Sequence, residues 1–338
     1  MTHNLLNHAK WSLHHKNAFS GEYIFMAREI PGLKKNFLYQ PDDPMNLKPR
    51  IDLISKLKIT NDYLKADYVF VPHPWISIKR NYSYLEYLVK LSTDVPLIIA
   101  NSDDISPKCD LPNTLQLRSF LHPKENEYRK IIMPYPAKQV QSELRSWKPV
   151  PQVSFIGYVP KFSFGSLTSM STSFIKSPIK SSVFLNRKIS LIRLNNLRHV
   201  FKVVCIPRVS FTLTSENGNL NSHKREYEKN LQESDYVVCP RGFGNTSIRF
   251  YETLSAGATP ILVNSGSDLP KISLDNFWKT NVLQLELFSD WGKAISKDWD
   301  FLKNNTNYFD RQQANKEIFA QELHLERYAR KIFSNYIF

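Results

Sequence analysis

A chain of 338 residues, 42% apolar, 13% aromatic and 22% charged, holds enough apolar material for about two packed domains and too much for wholesale disorder. Its 45 basic and 31 acidic residues leave a net charge of +14, which favours anionic partners: nucleic acid, lipid headgroups or phosphorylated small molecules. Cys109, Cys205 and Cys239 are too few and too scattered for a disulfide framework or a zinc site. No apolar run reaches the roughly 20 residues of a membrane span or forms a signal peptide, so a cytoplasmic setting is expected.

From Tyr68 onward, short apolar runs alternate with helix-like stretches, the pattern of α/β units with buried parallel strands. In the first half, strands are expected over 68–72, 97–100 and 130–133. A helix is expected over 82–91, with Leu85, Leu88 and Val89 on one face. Residues 135–152, with Pro136, Pro149 and Pro151, read as a linker.

The second half repeats the style. Strands are expected over 153–156, 201–206, 236–239 and 259–263, and helices over 182–197 and 246–256. The Ser- and Thr-rich stretch 162–182 reads as a loop, 289–304 as helix-like, and 311–333 as a helix with Ile318, Leu325, Tyr328 and Ile332 as its apolar positions. The expected organisation is a Rossmann-like domain over 1–140, a second over 150–310, and a C-terminal helix over 311–338 that can cross back to the first. Two such domains leave a cleft between them, and ligands bind outside the carboxyl ends of parallel strands.

Between Leu144 and Ser215 there is no Asp or Glu, while Arg145, Lys148, Lys161, Lys176, Lys180, Arg187, Lys188, Arg193, Arg198, Lys202 and Arg208 fall there. That stretch fits a solvated basic face or peripheral contact with an anionic membrane at the inner face of the cell membrane. No helix-turn-helix, zinc, RNA-recognition or OB signature accompanies it, which argues against nucleic acid.

The segment from Asp235 to Val263 reads strand, turn, helix, turn, strand. Its first strand ends at Cys239-Pro240 and Arg241-Gly242-Phe243-Gly244 forms the turn, where Gly242 and Gly244 permit positive φ or close approach to a ligand. Asn245 or Thr246 suits the N-cap of the following helix, whose free N–H groups at Thr246 and Ser247 can hold a phosphate. Arg241 before that helix and Arg249 one turn inside it would suit a diphosphate. Glu252, three residues beyond Arg249, can accept hydrogen bonds from the two ribose hydroxyls. Gly257 ends the helix and Pro260 opens the next strand.

These residues resemble the exostosin family of glycosyltransferases (family 47). Cys239-Pro240-Arg241-Gly242, Arg249, Tyr251-Glu252, Ala256-Gly257 and Pro260 match the family pattern in order. Upstream, Ala66-Asp67-Tyr68-Val69-Phe70-Val71-Pro72, Val153-Ser154-Phe155-Ile156-Gly157 and Asn186-Arg187-Lys188 are similar to further family segments, so the resemblance covers most of 66–263. It implies a GT-B fold, two Rossmann-like domains facing each other across a cleft, and inverting transfer from a nucleotide-diphosphate sugar, with UDP and GDP as the candidate nucleotides. The acceptor would be a glycan or lipid-linked glycan, as in surface polysaccharide synthesis. Many animal exostosins carry a membrane anchor and a second catalytic domain; neither is expected here, and the chain resembles bacterial-type, single-module members.

In that reading Arg241, Arg249, Arg187 and the helix start stabilise the leaving diphosphate with no metal or other cofactor. A general base is expected from the first domain. Asp103 or Asp104, after the 97–100 strand, is the first choice, and His73, after the 68–72 strand, the second. The Asp298-Trp299-Asp300 sequence has the Asp-x-Asp spacing of metal-dependent transferases but lies in the helix-like stretch 289–304, which predicts a solvated helix face. A non-catalytic carbohydrate- or nucleotide-binding protein on the same fold is the alternative.

Overall fold

In a computed structural model of the chain, the described residues are 23–28, 30–31, 58–101, 109, 111–118, 130–159, 178–208, 220–242, 247–263, 269–270, 276–303 and 305–332. The chain divides into two compact units. One comprises Met1–Pro134, Asp268–Pro270 and Leu325–Phe338, the other Tyr135–Ser267 and Lys271–His324. No helix among the described residues is long and apolar enough to cross a membrane.

The first unit holds a six-stranded sheet: β1 (Tyr23–Met26), β2 (Lys58–Thr60), β3 (Tyr68–Val71), β4 (Leu97–Asn101), β5 (Thr114–Arg118) and β6 (Lys130–Ile132). The spatial order is β2-β1-β3-β4-β5-β6, with every pairing parallel. β3 is buried along its whole length, as its unbroken apolar run dictates for a strand covered on both faces. Helices α1 (Trp75–Ile78) and α2 (Tyr82–Asp94) connect β3 to β4. Asn81 caps α2 by accepting the Tyr84 N–H through its side chain at 3.1 Å. The buried face of α2 is Tyr84, Leu88 and Leu91, a spacing of four and three. Of the residues expected there, Leu88 is buried, Leu85 is half-buried and Val89 is 44% exposed, because Tyr84 takes the inward position and turns Val89 out.

The second unit holds a five-stranded sheet: β7 (Gln152–Tyr158), β8 (Lys202–Arg208), β9 (Tyr236–Pro240), β10 (Thr259–Val263) and β11 (Leu283–Leu285), in the order β11-β10-β9-β7-β8, again all parallel. Its helices are α3 (Pro178–Asn195), α4 (Leu220–Glu233), α5 (Ile248–Ser255), α6 (Phe277–Asn281), α7 (Trp291–Phe301) and α8 (Asn305–Ile318). The core packs Phe155, Val238, Ile261 and Val263 of the sheet against Leu191 and Leu194 of α3 and Trp291, Ile295 and Trp299 of α7. Where one C-terminal helix is expected, α8 passes through a π-helical segment, Phe319–Leu323, before α9 (Leu325–Ile332) begins. His324 is extended (ψ 121°), and that breaks the helix between the two units.

Strand order is the same in both sheets. Counting strands from the first in each unit, both run 2-1-3-4-5, and the first unit adds a sixth. In such a doubly wound sheet the connections leave the first strand on one side and the third on the other, which opens a crevice at the carboxyl ends of those two strands. The crevice falls beside β1 and β3 in the first unit and beside β7 and β9 in the second. Two doubly wound, Rossmann-like α/β units in one chain are the composition of the GT-B fold expected from the sequence.

Residues 135–151 contain no helix or strand, as a linker would, yet they are tied down along the second unit. Arg145 sends its guanidinium to the carbonyls of Gln232, Ala256 and Gly257 at 3.0–3.1 Å, to the Tyr308 hydroxyl at 3.2 Å and to Asp235 at 3.6 Å. Trp147 stacks on Trp299. The basic stretch is correspondingly dispersed. Arg145 is spent on this strap, Arg193 donates to the Phe288 carbonyl, Arg208 pairs with Glu226 at 2.7 Å, and Lys148, Arg198 and Lys202 are solvated. Lys161 and Lys176 lie outside the described residues, as does most of the expected 162–182 loop, of which α3 already claims 178–182.

Candidate functional site

The crevice of the second unit lies where β7 and β9 end, and Arg241 and Arg249 of the Asp235–Val263 segment lie there. β9 is a fully buried strand that stops at Pro240, which lacks an N–H to continue a ladder. Arg241 and Gly242 follow, both half-buried, and α5 starts at Ile248. Ser247, and neither Asn245 nor Thr246, is the N-cap; its hydroxyl makes no capping hydrogen bond, because its side chain is buried. Gly244, Asn245 and Thr246 lie outside the described residues. At the other end of α5, Gly257 takes φ +71° and the N–H groups of Gly257 and Ala258 return to the carbonyls of Leu254 and Thr253, a Schellman termination.

Two guanidinium groups, those of Arg187 and Arg249, and the backbone of Arg241 meet on this edge. Arg249 points back across the end of β7, where Nη2 donates to the Ile156 carbonyl at 2.8 Å and the group lies over the Phe155 ring at 4.6 Å. Only glycine fits beneath it, since a Cβ on Gly157 would stand 2.2 Å from Nη2. Arg187, from α3, donates to the Arg241 carbonyl at 3.2 Å and to the Tyr158 carbonyl at 3.3 Å, which stitches the β7 end to the turn after β9.

Their electrostatics are unfinished. Among the described residues neither Arg241 nor Arg249 has a carboxylate within 4 Å, and the Nε atom of each is buried with no hydrogen-bond partner. Burial pulls the Arg241 guanidinium below its ordinary pKa. Buried donors without acceptors are uncommon in folded proteins; here they occur on Arg241 and Arg249, and also on Arg208 at the end of β8, and an anion is a partner that such donors can take.

Glu252 does not pair with Arg249 across the helix surface. Its Oε2 accepts a hydrogen bond from the Tyr227 hydroxyl of α4 at 2.5 Å. Burial holds its carboxyl above the ordinary range, opposed by the Tyr227 hydrogen bond and by Arg249. Cys239, beneath the site, is fully buried, and its thiol is pushed up to about 12 by that burial, so it has no nucleophilic use.

The remaining candidates fall elsewhere. His73 stands at the crevice of the first unit, but it is fully buried and its Nε2 accepts the Ile30 N–H at 2.8 Å. That lone pair is the one a base would need, so the structure gives His73 a structural job. Asp103 and Asp104 lie outside the described residues, just beyond β4. Asp298 is committed to Tyr236 at 2.6 Å and Arg311 at 2.5 Å, its neighbour Trp299 is core, and Asp300 faces solvent. Asp298 is therefore a half-buried anchor rather than part of a solvated face. A surface cavity of ≈ 600 Å³ between the end of α3 and the start of α7, lined by Arg193, His199, Phe288, Trp291 and Lys293 among others, contains none of the candidate residues.

Sequence reasoning missed Tyr227. Its signal was there in the spacing of Tyr227, Asn230, Leu231 and Ser234, one inward face of an otherwise charged helix.

No protein-family profile matches the chain, and no curated protein does. Among solved structures, the chain is similar to WaaG, a glycosyltransferase involved in lipopolysaccharide biosynthesis, at 9% identity over 92% of this chain and 99% of that one, with a TM-score of 0.38. It is similar to MurG of Acinetobacter baumannii at 11% identity over 97% and 94%, with a TM-score of 0.35. A third likeness is to TarM, at 11% identity over 72% of this chain and 56% of TarM, so the chain spans just over half of that protein, with a TM-score of 0.33. Likenesses this distant carry no weight for activity, which has to be argued from the residues of the chain itself.

Proposed function

We propose that the chain is an inverting, metal-independent glycosyltransferase of the exostosin type. It would move a sugar from a nucleotide-diphosphate donor, a UDP- or GDP-sugar, to a glycan or lipid-linked glycan acceptor in surface polysaccharide synthesis. One observation carries the reading: Arg241 and Arg249, each with a buried unpartnered Nε, lie with Arg187 at the β7–β9 crevice beside the start of α5. The family pattern quoted above falls on the same residues.

In this mechanism the acceptor oxygen bonds to the anomeric carbon as the bond from that carbon to the β-phosphate oxygen breaks. The nucleoside diphosphate leaves with the bonding pair and gains negative charge. Arg241, Arg249 and the first N–H groups of α5 stabilise that charge, and Arg187 holds the Arg241 carbonyl and the β7 end in place. Glu252 receives the ribose hydroxyls. The acceptor proton goes to a base from the first unit, for which Asp103 and Asp104 are the candidates.

Incubation with UDP- and GDP-sugars, with release of nucleoside diphosphate as readout, tests this directly. Release by the wild type, undiminished by chelator and lost in Arg241→Ala, is expected. Tight nucleotide binding with no release from any donor would point instead to a non-catalytic binding protein. No binding at all would end the reading.

A further inference from the structure

We infer that Tyr227 is a positioning residue for the donor ribose: its hydroxyl fixes Glu252 so that the carboxylate presents its other oxygen to the ribose hydroxyls. This rests on the donor-site reading proposed above and adds to it a residue outside every motif of the sequence.

The geometry comes from α4. Asn230 accepts from the Ser154 hydroxyl of β7 at 3.0 Å, Leu231 is fully buried, and the Ser234 hydroxyl donates to Ser154 at 2.7 Å. These contacts dock one face of α4 on the sheet. Tyr227 lies on the same face one turn nearer the N-terminus, toward the carboxyl ends of the strands. From there its O–H reaches Glu252 Oε2 at 2.5 Å, and Oε1 has no partner among the described residues. An ionised carboxylate has about four acceptor positions. Tyr227 takes one and, because phenol and backbone are both held, it fixes the plane of the group. A carboxylate so held keeps its remaining acceptors aimed, where a free glutamate would lose side-chain entropy on binding.

The same hydrogen bond bears on charge. Burial raises the Glu252 carboxyl, Tyr227 and Arg249 oppose that, Glu228 of α4 reinforces it, and Lys138 of the strap opposes it; Cys239 of β9 is the other titratable group facing it, and stays neutral. Loss of the phenol would leave the carboxylate easier to protonate.

The test is calorimetric titration of the full chain with whichever of UDP, GDP and CDP binds best, and with its 2′-deoxy and 3′-deoxy counterparts, in wild type, Tyr227→Phe, Glu252→Gln, the double variant and Arg241→Ala. Phe keeps the ring and removes only the hydroxyl, and thermal melting of each variant reports its folding. In wild type the ribonucleotide should bind about tenfold more tightly than a deoxy form. Tyr227→Phe should erase most of that preference, weaken the deoxynucleotides less than the ribonucleotide, and move the acid loss of ribonucleotide affinity to higher pH. Adding Tyr227→Phe to Glu252→Gln should change nothing further, since the tyrosine acts through the carboxylate. Arg241→Ala should weaken all three nucleotides alike. A wild type that discriminates, with a Tyr227→Phe that keeps both the preference and the pH profile, overturns the role of Tyr227 alone, as would a further loss in the double variant. A wild type that binds no nucleoside diphosphate overturns the donor site and, with it, the role of Tyr227.

Discussion

Gly157→Ala is the perturbation that separates fold from function most cleanly. The added Cβ would stand 2.2 Å from Arg249 Nη2, whereas ordinary contact begins near 3.4 Å, so the guanidinium must retreat by 3.4 − 2.2 = 1.2 Å. The clashing atom is the far end of a flexible side chain, so β7 and its neighbours keep their places. What is lost is the 2.8 Å bond to the Ile156 carbonyl and the seat on Phe155. A hydrogen bond to a charged group contributes about 1.5–3 kcal/mol, and each 1.4 kcal/mol is tenfold, so nucleoside diphosphate affinity should fall by about ten- to a hundredfold as the phosphate-facing geometry is lost. The lost Ile156 bond costs about 1.5–3 kcal/mol of folding stability, so differential scanning calorimetry should place the melting temperature about 3–12 °C below wild type, at about 2–4 °C per kcal/mol in a unit of this size. Wild-type affinity in a folded Gly157→Ala protein would refute the claim that Arg249 must lie across the end of β7 to bind donor.

Arg249→Ala should lower turnover by about 10²-fold, the usual cost of losing a donor to developing charge, with Lys a poor rescue because it cannot span Ile156 O and a phosphate at once; steady-state kinetics decide. Asp298→Ala should leave Arg311 buried and unpaired and cost about 3–5 kcal/mol in urea melts, while Asp300→Ala and chelator should leave turnover unchanged; turnover that needs added divalent metal would contradict the metal-free mechanism. Glu252 gives a pH signature. Burial raises its carboxyl above the ordinary 4.5, so in the window above that value the folded protein holds a proton that the unfolded chain has released. Its contribution to stability is complete below that window and is lost as pH rises through the folded value, at up to about 1.4 kcal/mol per unit. Nucleotide affinity, which needs the carboxylate, should climb over the same range. Urea melts and titrations across that range should show both trends in wild type and neither in Glu252→Gln.

The parallel-sheet character of both units was legible because β3, β4, β9 and β10 are nearly unbroken apolar runs, as strands covered on both faces must be. Four strands escaped notice: β1 (Tyr23–Met26) is an apolar run that the rule should have caught, and the other three are strands where the rule fails. β2 and β11 have three residues each, and β5 buries Gln116 and Arg118 where apolar side chains would have announced a strand. Helix α4 was hidden by charge, since one inward face of four residues is faint against Lys224, Arg225, Glu226 and Glu228. At the site, Arg241, Arg249 and Glu252 were readable because turn, helix start and helical spacing are local. Tyr227 and the packing of Arg249 on Phe155 were not, since both join elements far apart in sequence. The cap position moved from Asn245 or Thr246 to Ser247 because the turn after β9 is longer than residue preference alone could say.

The most direct measurement is a crystal structure of the full chain soaked with UDP or GDP. The diphosphate should sit at the carboxyl ends of β7 and β9, with oxygens about 2.7–2.9 Å from the guanidinium nitrogens of Arg241 and Arg249 and the ribose against Glu252. A nucleotide bound anywhere else, or those two arginines turned away from its phosphates, would contradict the account.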